Sequence, residues 1–364
     1  MENVEDDSLS AGAYYSQDFE WEALRDEVER MPGFLDHHGH SIVDTHESSS
    51  SSLKVCGSAA SSRIVEEGLD AIVECRDEAP STSTSWETFH TRHSRNLFFK
   101  ERRYLTKEFP DLCKADKPLF LLEIGCGTGS SVVPVIRANK QAVVHACDCS
   151  AAALKKASEV VNTARDPGST SIFYPFLCDI SISKLPNFLC CSACRRKNRQ
   201  SEDTGLELLA NDRTESHEQF DATMGTPESK NLSGHDFVSC CIGGLDIVTM
   251  IFTLSAIPVE KMAHVLAECL EVLKPGGLLL FRDYGLYDMT MLRFAPRQRI
   301  SSCMYQREDG TLSYFFSLEA VRTLFTQAGL VERELEYCCV QLMNRRKQVP
   351  MKRVWVHAKF QKPE

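Results

Sequence analysis

Three glycines behind an acid, Glu123-Ile-Gly125-Cys-Gly127-Thr-Gly129, are the residues of this chain whose types and spacing point most directly to chemistry. They follow the apolar run Leu119 to Ile124 and open a helical segment. Without Cβ atoms such a loop lets a ligand come close to the backbone, and a helix N-terminus offers it free N–H groups. Asp148 lies 19 residues past Gly129, at the end of a second apolar run. A carboxylate there accepts hydrogen bonds from both hydroxyls of a ribose. Asp179 closes a third run, where an acid meets the amino group of an adenine. Each acid also has a plainer reading, Asp148 as a helix N-cap and Asp179 as a turn residue. The dinucleotide fingerprint asks for Gly or Ala where this chain has Ser130, which argues against a nicotinamide enzyme.

A second group lies further on. Ile251-Phe-Thr-Leu-Ser255-Ala-Ile257-Pro258 follows a fourth apolar run, and Phe281-Arg282-Asp283-Tyr284-Gly285 follows a fifth. Ligands of open α/β sheets sit outside the carboxyl ends of the strands, where both segments fall. Arg282, Asp283 and Tyr284 offer a cation, an acid and an aromatic ring, a set that can stack on a base and read its edge. The alternative is a structural Arg–Asp pair.

The elements that must position these residues alternate. Strands are expected over Leu119–Ile124, Val143–Cys147, Ser171–Leu177, Leu245–Thr253 and Leu278–Phe281, and helices over 130–138, 150–162 and 259–273. Lys274-Pro275-Gly276-Gly277 is expected to stop the last of these helices. Ser317 caps a helix reaching Ala328, and Tyr337–Met343 with Arg353–Phe360 form a closing hairpin. This order predicts a mostly parallel, seven-stranded α/β sheet with helices on both faces and a C-terminal antiparallel hairpin.

Charge divides the chain. Residues 1–85 hold 19 acidic and 5 basic side chains, a net of -14, while the remaining 279 residues hold 32 and 36, a net of +4. The first 85 residues, Ser-rich and acidic, read as a disordered tail, apart from a short helix over Phe19–Val28. Residues 86–364 form one domain, opened by leading helices over 86–118 in which aromatics alternate with bases. Residues 189–236, polar and without period, read as a disordered insertion. The acid-free stretches Met289 to Arg307 and Tyr337 to Pro363 suit phosphate contact, or are ordinary solvated faces. The 16 cysteines, with no signal sequence, indicate reduced thiols and a cytoplasmic or nuclear location. Cys191-x-x-Cys194 has metal-ligand spacing but no matching second pair, so no metal is expected. No run is long and apolar enough to span a membrane.

The G-x-G-x-G loop with an acid two residues before it is similar to that of class I methyltransferases. Longer strings are more specific: MIFTLSAIP from Met250, FRDYGLYDM from Phe281, REDGTLSYFF from Arg307, RVWV from Arg353, and the leading WETFH from Trp86 and FFKERRYL from Phe98. Over about residues 86–362, outside the insertion, the chain resembles the methyltransferase-like family that makes 3-methylcytidine in the anticodon loop of tRNA. The resemblance implies an S-adenosylmethionine cofactor touching Trp86, Gly125, Asp148, Asp179, Ile180 and Ile251, with Gly127 and Gly129 in the same loop. His90 stands where the family usually has a cofactor-contacting Tyr, and Glu101-Arg-Arg103-Tyr104 replaces its usual D-R-H-W. The implied partner is tRNA, met by Lys100, Arg102, Arg103, Arg293 and Arg307, with an aminoacyl-tRNA synthetase or other accessory protein as a candidate further partner. Cytosine N3 carries an in-plane lone pair and attacks without a base, so Asp283 is expected to hydrogen-bond the exocyclic amine while Arg282 and Tyr284 hold the ring. Two other readings fit the same loop: a methyltransferase for a small metabolite, and a cofactor-binding RNA adaptor without catalysis.

Overall fold

The structure, a computed structural model, describes residues 16–31, 82–93, 100–113, 117–190, 244–344 and 348–364. Five strands, β1 (Phe120–Ile124), β2 (Val143–Asp148), β3 (Ile172–Leu177), β4 (Leu245–Ile251) and β5 (Leu273–Tyr284), pair in parallel in the order β3-β2-β1-β4-β5. Strands β6 (Met304–Gln306) and β7 (Leu312–Tyr314) form a separate small hairpin. Strands β8 (Val331–Asn344) and β9 (Val349–Gln361) close the large sheet, β9 antiparallel to β5 and to β8. The seven-stranded, mostly parallel sheet expected from the alternation is therefore present.

Both faces are covered, as buried parallel strands require. On one face α6 (Val259–Val272) and α7 (Leu318–Gln327) bury Met262, Val265, Leu266, Val321 and Phe325 against the sheet. On the other, α4 (Val132–Ala138) and α5 (Ala151–Ala164) pack with the short α3 (Leu105–Glu108) through Val132, Val135, Leu154, Leu105 and Phe109. Ser150 caps α5 by accepting from the Ala153 N–H at 3.0 Å, and Ser317 caps α7 through the Ala320 N–H at the same distance.

Three expectations need correction. Lys274-Pro275-Gly276-Gly277 does not separate a helix from a strand: β5 already pairs at Leu273↔Leu245, and its register shifts before Leu278↔Ile247. Gly276, at φ +71°, absorbs that irregularity. The domain does not begin at Trp86, because α2 runs Thr82–Arg92. Nor is residues 16–31 a free tail. Its expected helix is present as α1 (Trp21–Glu29), and Leu24 and Val28 are buried in a cluster with Leu286, Tyr287, Phe315 and Val354. The acidic composition hid this because only one stripe of a nine-residue helix is apolar. Of the expected insertion 189–236, Leu189 is instead buried in the core, while residues 191–236, Phe98, Phe99 and the Cys191/Cys194 pair lie outside the described residues. No helix among the described residues is long and apolar enough to cross a membrane, and no cluster of possible metal ligands occurs among them.

Candidate active site

The carboxyl ends of β1, β2, β3 and β4 open into a cavity of about 390 Å³. Its floor begins at the glycine loop. Gly125 and Gly127 sit at φ +65° and +53°, a region that favours glycine, and a Cβ on Gly125 would lie 2.4 Å from Thr253. Cys126 N–H donates to Cys147 O at 3.0 Å, tying the loop to β2. Asp148, at the tip of β2, is buried yet lines the cavity. Its carboxylate accepts from Gly127 N–H at 2.8 Å and Ser150 N–H at 2.9 Å, so the loop and the start of α5 aim it. Burial raises its pKa, opposed by His90 and these two donors. Asp179 and Ile180 form the wall beyond β3, and Asp179 accepts from Ser181 N–H and Oγ–H. Trp86, Phe89 and His90 on α2 close the roof. Burial lowers the His90 pKa more than Asp148 and Glu87 raise it, which leaves a neutral imidazole.

The opposite wall carries aromatics. Phe252, at φ +57°, stands 5.1 Å from the Tyr284 ring and 5.4 Å from the Arg102 guanidinium. A bulky residue in that left-handed conformation stores strain, a pattern that gathers at ligand sites. Arg102 is fixed by Ser131 Oγ at 2.8 Å, and its backbone N–H donates to Ser130 O at 2.9 Å. Beneath it Glu123 is fully buried, and burial pushes its pKa up to about 7 against the pull of Arg102 and Ser131. The tip of the β6–β7 hairpin brings Arg307 and Asp309 over the mouth. That tip rests on α2: a Cβ on Gly310 would stand 2.8 Å from Ser85 Oγ.

Of the residues singled out in the sequence, Trp86, His90, Gly125, Gly127, Asp148, Asp179, Ile180, Ile251, Arg102, Tyr284 and Arg307 line this one cavity. Gly129 does not; it lets the loop pack on α5, 3.4 Å from Ala157. Lys100 and Arg293 are exposed away from the cavity, and Arg103 pairs with Glu101 at 3.3 Å on the surface. Arg282, Asp283 and Tyr284 are not brought to one point, because alternate residues of a strand face opposite ways. Arg282 is fully buried in an ion pair with Glu108, its guanidinium 4.8 Å from Tyr104 and 4.5 Å from Trp355. Asp283, also fully buried, accepts from Ser255 N–H and Tyr284 N–H, each at 2.9 Å. Burial pushes its pKa up to about 6. Asp283 therefore braces the Ile251–Ile257 segment from below rather than facing the cavity. Sequence reasoning missed Phe252 and Asp309 as lining residues. For Asp309 a signal existed, since Asp309-Gly310 between Tyr305 and Ser313 is a hairpin turn pair.

Four thiols, Cys126, Cys147, Cys149 and Cys178, also face the cavity. Burial raises all four, Cys178 to about 11, so they stay protonated and act as small apolar side chains. The lining suits an adenosine-bearing sulfonium cofactor. It offers an aimed carboxylate for a ribose diol, apolar walls at Ile180 and Ile251 for a purine, a backbone cradle a Cβ would fill at Gly125, and a volume in the small-ligand range.

A family profile described as a methyltransferase domain matches residues 94–335. The chain is 34% identical over 286 residues to tRNA N(3)-methylcytidine methyltransferase Mettl2 of Drosophila melanogaster, covering 76% of this chain and 70% of that protein. It is 31% identical over 283 residues to tRNA N(3)-cytidine methyltransferase METTL6 of Homo sapiens, covering 77% and 80%. Against O-methyltransferase 3 of Dictyostelium discoideum it is 31% identical over 276 residues, covering 74% and 50%.

Proposed function

This chain belongs to the tRNA N(3)-methylcytidine methyltransferase family, and on that premise we propose that it methylates N3 of a cytidine in the anticodon loop of tRNA, using S-adenosylmethionine. The observation that carries the reading is a single cavity with two unlike ends: an aimed carboxylate and glycine loop at one, and two aromatic rings under an arginine at the other.

When bound, S-adenosylmethionine supplies an electrophilic methyl group on a sulfonium. Asp148 would accept from its ribose hydroxyls, Asp179 would meet the adenine amino group, and Ile180, Ile251 and Trp86 would cover the ring. Gly125 and Gly127 would let its amino-acid end approach the backbone. Phe252 and Tyr284 hold a flipped base by stacking, and Arg307 at the mouth takes a backbone phosphate. The N3 lone pair needs no general base, so the residues act by alignment and by excluding water rather than by moving a proton. Asp283 fixes the Ser255 segment that carries Phe252 and Thr253. Arg102, clamped to the cofactor loop, reads as a wall of the cavity more than as an outer RNA contact. The outer bases Lys100, Arg103 and Arg293 extend a positive surface for the RNA.

The test is methyl transfer from labelled S-adenosylmethionine, offered total tRNA in one arm and a small-metabolite extract in the other, with Asp148→Ala as control. Label entering tRNA with the native chain, and lost in the variant, supports the reading. Label in metabolites alone favours the small-molecule methyltransferase. Cofactor binding with no label in either arm calls for a repeat with an added aminoacyl-tRNA synthetase, and continued silence there points to a non-catalytic adaptor.

A further inference from the structure

Residues 16–31 run from the edge strand β8 to the loop that follows Tyr284. The Trp21 indole N–H donates to Leu286 O at 3.2 Å. Its ring stacks on Tyr337, with centroids 4.8 Å apart and planes at 17°, and meets Tyr287 at 5.6 Å. Tyr287 holds a left-handed φ of +65°, strained for a bulky residue, and its hydroxyl donates to Glu29 at 2.6 Å. The segment is also pinned to the edge strand β8: Asp18 N–H donates to Cys339 O at 2.8 Å, and Gln341 N–H to Asp18 at 2.8 Å. Leu24 and Val28 then pack with Tyr305 and Phe315 at the base of the β6–β7 hairpin.

That loop is where the acceptor end of the cavity is joined. Gly285 N–H donates to Val354 O and Leu286 N–H to Phe316 O, while Phe316 N–H donates back to Tyr284 O at 2.9 Å. Tyr284 and the hairpin that carries Arg307 and Asp309 thus hang from one short stretch of backbone. The N-terminal segment grips that stretch by a backbone carbonyl, by a side-chain hydroxyl and by apolar packing. The glycine loop, Asp148 and Asp179 receive none of these contacts.

We propose that Trp21 and Glu29 are positioning residues for the methyl acceptor, acting through Leu286 and Tyr287 to set Tyr284 and the Arg307 hairpin, while leaving cofactor binding alone. The inference rests on the function proposed above. Misplacing a reacting group by ~1 Å costs on the order of 100-fold in rate, so loss of such a brace is read in turnover.

The experiment compares the full native chain with Trp21→Ala, Glu29→Ala, the conservative Trp21→Phe and Glu29→Gln, and Arg30→Ala at the exposed C-cap of the same helix. Steady-state methylation of total tRNA gives kcat and KM, and calorimetry gives the affinity for S-adenosylhomocysteine. The two alanine variants at Trp21 and Glu29 are expected to lose at least about tenfold in kcat/KM for tRNA, with S-adenosylhomocysteine affinity within about twofold of native. Glu29→Gln should recover much of the loss, because an acceptor oxygen remains; Trp21→Phe, which keeps the stacking on Tyr337 but not the hydrogen bond to Leu286 O, should recover only part of it; and Arg30→Ala should match the native chain. Unchanged tRNA kinetics in the alanine variants would overturn the proposal. So would equal losses of cofactor affinity and turnover, which mark general loosening. If the native chain itself methylates no tRNA, the functional reading fails instead, and the calorimetry shows whether the cofactor end is intact.

Discussion

At the nucleoside end of the cavity, the hydrogen bonds that aim Asp148 come from the loops at the ends of β1 and β2, from the N–H groups of Gly127 and Ser150. At the acceptor end, Tyr284 depends on Phe316, on Val354 and, through Leu286, on Trp21 some 265 positions earlier. One end is set by short-range geometry and the other by contacts gathered from both termini. A site of the first kind is expected to keep its binding when distant residues change. A site of the second kind fails when any of its remote supports is removed.

The largest effect is expected at the seam between the two. Arg282→Met leaves the buried Glu108 with His357 as its partner and no guanidinium, and breaking such a buried pair costs about 3–5 kcal/mol. Chemical denaturation measures this, and a loss below about 1 kcal/mol would show that the pair is not desolvated in solution. Next comes Leu24→Ala, expected to cost about 2–5 kcal/mol because the side chain is buried among aromatics that cannot close the gap. Were the first 85 residues simply a tail, this substitution would change nothing.

Asp148→Ala sharpens the contrast from the other side. It removes the proposed ribose acceptor, and the affinity for S-adenosylhomocysteine should fall on the order of 100-fold, about 2.7 kcal/mol, by calorimetry. Thermal stability should fall far less than in Leu24→Ala. For Asp283 the expected readout is a pH profile. Burial holds its pKa near 6, above the ordinary carboxyl value. The stability conferred by its neutral form is thus fully present below the unfolded pKa and is lost as pH rises through about 6. The ionised form above that value is the stronger acceptor for Ser255 and Tyr284. Methyl transfer should therefore decline as pH drops through about 6, and Asp283→Asn should lower the plateau and remove that limb. The smallest effect is at His90, whose folded pKa is depressed. The unfolded chain takes up the proton first, so stability conferred by the neutral ring is lost as pH falls below about 6.5, by at most about 1.4 kcal/mol per pH unit. His90→Phe should flatten that slope in thermal melts, and an unchanged slope would mean that the ring is already exposed to water.

The same contrast explains what the sequence disclosed. Strand, loop and helix around Gly125 follow from period and glycine spacing, so the sheet and the residues at its carboxyl ends were legible. The conflicting environments of Arg282 and Asp283 were not, because adjacent strand residues face opposite layers and nothing local says which layer holds a cavity. Glu108, the true partner of Arg282, sits 174 positions earlier, in a segment that reads as an amphipathic lead-in. Trp21 was hidden by composition: six acids surround it between Ser16 and Met31, and its apolar stripe is two buried residues long. Phe252 was missed because no local signal foretells a left-handed phenylalanine; surrounding packing imposes it.

The central claim is that the two ends of this cavity join a methyl donor to one nitrogen of cytidine. The most direct measurement is nucleoside mass spectrometry of tRNA from cells lacking this protein, after incubation with the purified chain and S-adenosylmethionine. The account predicts 3-methylcytidine, formed by the native chain and absent with Asp148→Ala. Methylation at another atom of cytidine, or on a different nucleoside, would contradict it.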